Sequence, residues 1–254
     1  MNPYFKIPPL GLVLACLLLP LLCPLSSQAQ RSEADFEKAR EDLVRRYISS
    51  GIRGRKPVRD PAVLRAMRTV PRHEFIPRDL APFAYEDRPL PIGKGQTISQ
   101  PYIVASMTEA LRPEADDVVL EVGTGSGYQA AVLAEIVKEV YSIEIVPELG
   151  KKAARVLRDL GYANVYTRIG DGYKGWPQHA PFDGIIVTAA PDHVPQPLVD
   201  QLKVGGRMVI PIGPRDRVQE LKLLEKQEDG SVKITTLDLV RFVPMTGEAE
   251  KNKR

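Results

Sequence analysis

The residues of this chain best suited to chemistry lie in one glycine-rich stretch, Glu121-Val-Gly123-Thr-Gly125-Ser-Gly127-Tyr128. Glycine has no Cβ, so such a stretch turns sharply and lets the backbone come close to a ligand. Glu144 follows roughly twenty residues later, where an acid at a strand end accepts hydrogen bonds from ribose hydroxyls. The two together predict a nucleoside-bearing cofactor at the carboxyl ends of the strands of an open α/β sheet. Further on, Gly170-Asp171-Gly172 ends a third apolar run. Asp171 is there a candidate acceptor for an adenine amine, with Gly172 beside it. Thr188-Ala189-Ala190-Pro191 ends a fourth.

Detail narrows the cofactor. The dinucleotide fingerprint requires a third glycine in G-x-G-x-x-G, and Tyr128 occupies that position. No Gly-Lys-Ser/Thr phosphate cradle is present. The spacing G-x-G-x-G behind an acid resembles motif I of S-adenosylmethionine methyltransferases, whose ligand has no pyrophosphate. Enzymes that methylate nucleic-acid amines place Asn or Asp before Pro-Pro and an aromatic where this chain has Thr-Ala-Ala-Pro. The acceptor is therefore expected to need no deprotonation, and a carboxylate, already ionised at pH 7, qualifies. His73, His179 and His193 are far apart in sequence and form no ligand-spaced pair, so no metal site is expected.

These residues need a scaffold. A helix is predicted from Ser32 to Ser50, capped by Ser32 with Asp35 three residues on, and a second from Asp60 to Arg68 with Pro61 at its first position. Residues 71–101 are rich in Pro and Gly and read as an irregular binding loop, followed by a helix over Tyr102–Leu111. Strands at 118–122, 140–145, 165–169, 184–188 and 207–212 then alternate with helices at 128–137, 148–160 and 197–202. That alternation predicts a parallel sheet covered on both faces. Gly161 reads as a glycine C-cap. The last strands, 219–226 and 232–242, flank the turn signal Asp229-Gly230 and should pair antiparallel. The predicted fold class is α/β, Rossmann-like, mostly parallel with antiparallel C-terminal strands.

The first residues differ in kind. Lys6 precedes the apolar run Leu10–Cys23, interrupted by Pro20, and Ser27-Gln28-Ala29 fits signal-peptidase cleavage. The run is short for a spanning helix. Residues 1–29 are read as a secretory signal and 30–254 as the domain, which implies an exported or periplasmic protein. Both cysteines, Cys16 and Cys23, fall within the signal. A formal net charge of +3 over 254 residues gives no footprint of a nucleic-acid binder. The end of the chain, 248–254, is mixed in sign and reads as a solvated tail. Nothing marks an obligate interface, so a monomer is expected.

Several blocks, taken together, carry a specific resemblance. Val70-Pro-Arg-His-Glu-Phe75, Pro91-Ile-Gly-Lys-Gly-Gln-Thr-Ile-Ser99-Gln-Pro-Tyr, the Glu121 glycine stretch, Ala180-Pro-Phe-Asp-Gly-Ile-Ile-Val-Thr-Ala-Ala-Pro191 and Val240-Arg-Phe-Val-Pro244 closely resemble protein-L-isoaspartate O-methyltransferases. The resemblance spans about 35–246. It implies an S-adenosylmethionine-dependent methyltransferase fold and methyl transfer to the free α-carboxylate of L-isoaspartyl residues in damaged proteins. It also implies Ser99 as the active-site residue. Thr97 and Ile98 of the same loop, with Glu121, Gly123, Gly125, Gly127, Glu144, Asp171 and Gly172, are the implied cofactor contacts. The family is generally cytoplasmic, so the signal is a departure and leaves a cytoplasmic location as the alternative. A small-molecule carboxyl methyltransferase and an exported, non-catalytic binder of damaged proteins stay open beside this reading.

Overall fold

The computed structural model describes residues 32–215 and 217–251. The expected export signal, with both cysteines, lies outside the described residues.

Helix α1 (Glu33–Leu43) starts as its sequence dictates: Ser32 Oγ accepts from the Asp35 N–H, and the Asp35 carboxylate accepts from the Ser32 N–H. It continues as a π-helical turn over Val44–Ile48 and stops at Gly51, φ 68°. Asp60 caps α2 (Pro61–Thr69) by accepting from the Ala62 and Val63 N–H groups.

Residues 71–101 are more regular than expected. After two short 3₁₀ turns, β1 (Leu90–Gly93) and β2 (Gln96–Ile98) pair antiparallel as a hairpin. Lys94 and Gly95 join them at φ 55° and 71°, the two left-handed positions of a tight hairpin turn. Lysine at the first of these hides the turn from a search for Asn-Gly or Asp-Gly.

Helix α3 (Pro101–Leu111) leads into β3 (Val118–Val122), α4 (Tyr128–Ala134), β4 (Glu139–Glu144), α5 (Pro147–Asp159) and β5 (Val165–Ile169). β6 (Phe182–Val187), α6 (Gln196–Gln201) and β7 (Leu202–Ile212) follow. β7 begins well before the expected Arg207. β8 (Gln219–Lys226) and β9 (Val232–Val240) complete a seven-stranded sheet of order β5-β4-β3-β6-β7-β8-β9. The pairs from β5 across to β7 are parallel, and β8 and β9 add antiparallel.

Alternate residues of the central strands serve two cores, as a sheet covered on both faces requires. Val119, Ile186 and Val209 pack with buried residues of α1 through α5, including Val63, Leu133 and Leu157. Leu120, Ile185 and Met208 pack on the other face with Leu198 and Val199 of α6. Gly161, φ 85°, ends α5: its N–H donates to Arg158 O and the Tyr162 N–H to Leu157 O, both at 3.0 Å. That pair is the Schellman arrangement expected of a glycine cap.

The tail is not simply solvated. Glu248–Lys251 form a helical turn, α7, whose Ala249 is buried in the second core. Its Glu248 N–H donates to Asp171 Oδ2 at 2.8 Å. One apolar side chain and one carboxylate acceptor are enough to dock it. Among the described residues no helix is long and apolar enough to cross a membrane.

Candidate active site

The strand order reverses beside β3, whose neighbours are β4 and β6. Crossovers depart in opposite directions from such a point and leave a crevice at the strands' carboxyl ends. The glycine stretch lies there, linking β3 to α4. Gly123 adopts φ 99°, and the place of a Cβ on it is filled by Thr188 Oγ1. That hydroxyl is fixed against Gly123 O at 2.6 Å and Val122 O at 3.1 Å.

Two acids serve this loop differently. Glu144 ends β4 and accepts from the Gly125 N–H at 2.7 Å and the Val146 N–H at 2.8 Å, tying the loop to the neighbouring strand. Glu121 in β3 is fully buried. Its Oε2 accepts from the Ser142 hydroxyl, itself 2.6 Å from the Thr124 hydroxyl. Oε1 makes no hydrogen bond of good geometry. Burial pushes the Glu121 carboxyl up to about 8; the Ser142 hydrogen bond opposes this and the nearby Glu144 charge adds to it.

The pocket over the glycine loop is lined by Glu121, Gly123, Gly125, Glu144 and Gly172, and by Thr97, Ile98 and Ser99 of the β2 end. Gly127 caps α4 just behind it, packed on Leu157 and Ala153. A Cβ on Gly172 would run into Val122 Cγ1, so close packing of the third strand's loop demands glycine. Asp171 is not among the lining residues. Its Oδ1 accepts from the Tyr173 N–H at 3.0 Å and its Oδ2 from the Glu248 N–H, so it braces the loop carrying Gly172. Sequence reasoning missed Gln129, Ile145, Thr188, Met245 and Thr246 as lining residues. Thr188 ends the Ala180–Pro191 block, and Met245 and Thr246 follow the Val240–Pro244 block. Strand-like hydrogen bonds between Ala190 and the segment Val243–Met245 hold that cover in place.

The three histidines are engaged elsewhere. His73 stacks on Phe36 and meets the Tyr85 hydroxyl at 2.8 Å; His179 stacks on Tyr141; His193 lies between Tyr173 and Asp192. None serves Ser99, so no Ser-His-acid set exists for covalent catalysis.

Ser99 is positioned by a carboxylate that the sequence did not single out. Asp87, whose side chain is only 6% exposed, accepts from Arg55 at 2.6 Å, Gln100 Nε2 at 2.8 Å and the Tyr102 N–H at 3.0 Å. It thereby grips the residue after Ser99 and the first turn of α3. Asp87→Asn is expected to lower turnover about tenfold while leaving cofactor affinity intact, and to cost about 2 kcal/mol of stability by leaving Arg55 unpaired. Steady-state kinetics with cofactor titration and thermal melting check this, and unchanged turnover would separate Asp87 from the working geometry.

Ser99 also marks a boundary. It lines the pocket over the glycine loop and, with Thr97, Thr188 and Val243, a second, open groove of about 1170 Å³ between α3 and the β8–β9 edge. A smaller pocket thus communicates with a larger groove past three hydroxyl side chains, those of Thr97, Ser99 and Thr188.

A family model for protein-L-isoaspartate(D-aspartate) O-methyltransferase matches residues 38–250. The chain belongs to this family. It is accordingly a methyltransferase dependent on S-adenosylmethionine. A protein-L-isoaspartate O-methyltransferase of Nitrosospira multiformis is 58% identical over 216 residues, covering 85% of this chain and 90% of its own. One of Opitutus terrae is 55% identical over 231 residues, covering 91% and 97%. Among solved structures, a protein-L-isoaspartate O-methyltransferase superposes with TM-score 0.69 at 30% identity, covering 84% of this chain and 67% of its own. A Plasmodium falciparum relative, solved in complex with S-adenosyl-L-homocysteine, gives TM-score 0.68 at 25% identity over 83% of this chain and 98% of its own. The family's mostly parallel sheet with antiparallel C-terminal strands is the sheet found here.

Proposed function

We propose that this chain methylates the free α-carboxylate of L-isoaspartyl residues in damaged proteins, using the pocket over the glycine loop for cofactor and the open groove for the polypeptide. The observation that carries this reading is the placement of Ser99 and Thr97 on the boundary between pocket and groove. A small-molecule acceptor would need no such groove.

The pocket fits S-adenosylmethionine on an observation of its own: Glu121 Oε1 is a buried acceptor without a good partner, suited to a cationic donor. We assign Glu144 to the ribose hydroxyls and the backbone at Gly123 and Gly125 to the amino-acid moiety, on their lining of the pocket. The bound cofactor supplies an electrophilic methyl group on a sulfonium centre. Ser99 Oγ has no hydrogen-bond partner among the described residues and is free to donate to the acceptor carboxylate. Ile98 and Met245 line the pocket and Val243 lines both pocket and groove, an apolar surround that would keep water from the attacking oxygen. The acceptor is already anionic, so the site needs alignment of two bound reactants and no general base. The following backbone nitrogen then attacks the methyl ester without the enzyme, expelling methanol and closing a succinimide, and hydrolysis of that ring returns part of the material to aspartate.

The test uses residues 30–254, labelled cofactor, and matched peptides bearing isoaspartate or aspartate. Base-labile label on the isoaspartyl peptide alone is expected; label on neither, with cofactor bound, overturns the reading. In the same assay Ser99→Ala should lower turnover ten- to a hundredfold with an unchanged melting temperature, and an undiminished rate removes Ser99 from the mechanism.

Export and a monomeric state belong to the same proposal. The pattern Lys6, Leu10–Cys23 and Ser27-Gln28-Ala29 supports cleavage after Ala29. Nothing in the sequence marks an obligate interface, which supports a monomer. Cell fractionation with N-terminal sequencing should find a mature protein starting at Gln30, and sedimentation a single protomer. A full-length cytoplasmic product would overturn the export.

A further inference from the structure

The groove that opens from Ser99 has a charge character that the methyl transfer itself does not require. Two of its cations are spent within the protein: Arg55 on Asp87 and Arg207 on Glu225, the latter at 2.5 Å. Lys56, Arg112 and Arg241 are exposed along its walls, and among the described residues none of them forms an ion pair. The groove's two acids are each engaged by backbone. Glu109 accepts from the Arg59 and Asp60 N–H groups, and Asp238 from the Leu239 N–H. The lining therefore presents three positive side chains without ion pairs, of which Arg112 also acts at longer range on the Glu225 carboxylate, beside two carboxylates that already hold hydrogen bonds.

The dimensions suit a peptide. α3 forms one wall from Tyr102 to Ala110, with Arg112 just past its end. Its 11 residues, at ~1.5 Å each, span roughly 16 Å. An extended chain advances about 3.3 Å per residue, so about five residues lie along that wall. Lys56 sits near the Ser99 end, where its carbonyl accepts from the Tyr102 hydroxyl at 2.9 Å. Arg241 projects from the segment that joins β9 to the pocket cover, and Arg112 marks the far end.

We propose that this groove selects, among isoaspartyl polypeptides, those with acidic residues within about five positions of the damaged site, through Lys56, Arg112 and Arg241. The inference rests on the carboxyl-methylating reading and specifies its substrate class. Contacts of this kind are exposed, individually weak and screened by salt, so they act on affinity more than on the chemical step.

The experiment compares three isoaspartyl peptides of one length, flanked on both sides by Glu, Gln or Lys. KM is measured for methylation, and affinity for the same peptides, fluorescently labelled, by anisotropy at low salt. The Glu peptide is expected to bind about tenfold more tightly than the Lys peptide, with the Gln peptide between them. The difference should shrink by 0.5 M salt. Lys56→Glu, Arg112→Glu and Arg241→Glu combined should invert the order, with retained cofactor binding certifying the fold. Equal affinity for Glu and Lys peptides, or an order unchanged in the triple variant, overturns the proposal. Tight binding of the Glu peptide with no peptide methylated would sink the carboxyl-methylating reading and leave only the charge preference of the groove, whereas equal affinities with methylation intact would sink the preference alone.

Discussion

Gly123→Ala is expected to reduce affinity for the cofactor a hundredfold or more and to abolish measurable turnover. Gly123 adopts φ 99°, where an L side chain is strained by about 1–3 kcal/mol. Its new methyl would also occupy the position of Thr188 Oγ1. That hydroxyl cannot swing away freely, because it is bound to Gly123 O and Val122 O. The cheaper response is displacement of the loop, which withdraws the Gly125 N–H from Glu144 and spoils the wall of the pocket. Titration with S-adenosylhomocysteine and thermal melting separate loss of the site from loss of the fold. Thr188→Ala added to the variant should relieve the overlap but not the backbone strain, so rescue is partial. Wild-type affinity in Gly123→Ala would show that this loop is not the cofactor cradle.

The second large effect concerns pH. Glu121 is held near 8 by burial, against about 4.5 in the unfolded chain. Between those values the folded protein keeps a proton that the unfolded chain releases. Raising the pH therefore favours unfolding, and the Glu121 contribution to stability falls from pH 4.5 to 8, then levels off once the folded form also ionises. The full swing is on the order of a few kcal/mol. Glu121→Gln removes the titrating group, so the wild-type minus variant difference in unfolding free energy should slope downward over that range. Denaturant melts at intervals from pH 5 to 8.5 measure it. A flat difference would mean that Glu121 is already ionised in the folded protein. A bound cationic cofactor stabilises the carboxylate, so its presence should flatten the wild-type slope as well.

Much of this molecule could be read from one line of letters because its local signals agree. The Ser32 and Asp60 caps, the Gly161 terminator and the run of alternating strands and helices depend on neighbours in sequence. So does the G-x-G-x-G loop with its acid twenty residues on. Their placement followed from periodicity and capping chemistry. The β1–β2 hairpin escaped because its strands are short and Lys94 occupies a left-handed position usually held by Asn, Asp or Gly. The docking of α7 escaped because a charged tail conceals a single buried alanine.

What the sequence determined by itself was the chemistry available: a nucleoside cradle, an acceptor that needs no base, and the residue types of a family. What tertiary structure decided was which groups meet. Asp171, a candidate ligand acceptor by its place in the sequence, braces its own loop through the Tyr173 and Glu248 N–H groups. Asp87, unremarkable in sequence, holds Gln100 and Tyr102 on either side of Pro101 and so fixes Ser99. Thr188 fills the space that makes Gly123 obligatory. Each of these pairings joins residues at least 13 positions apart in the chain, apart from the Asp171–Tyr173 cap. Sequence spacing carries no record of such contacts, because burial, packing and hydrogen-bond geometry select them only once the sheet and its helices have closed on one another.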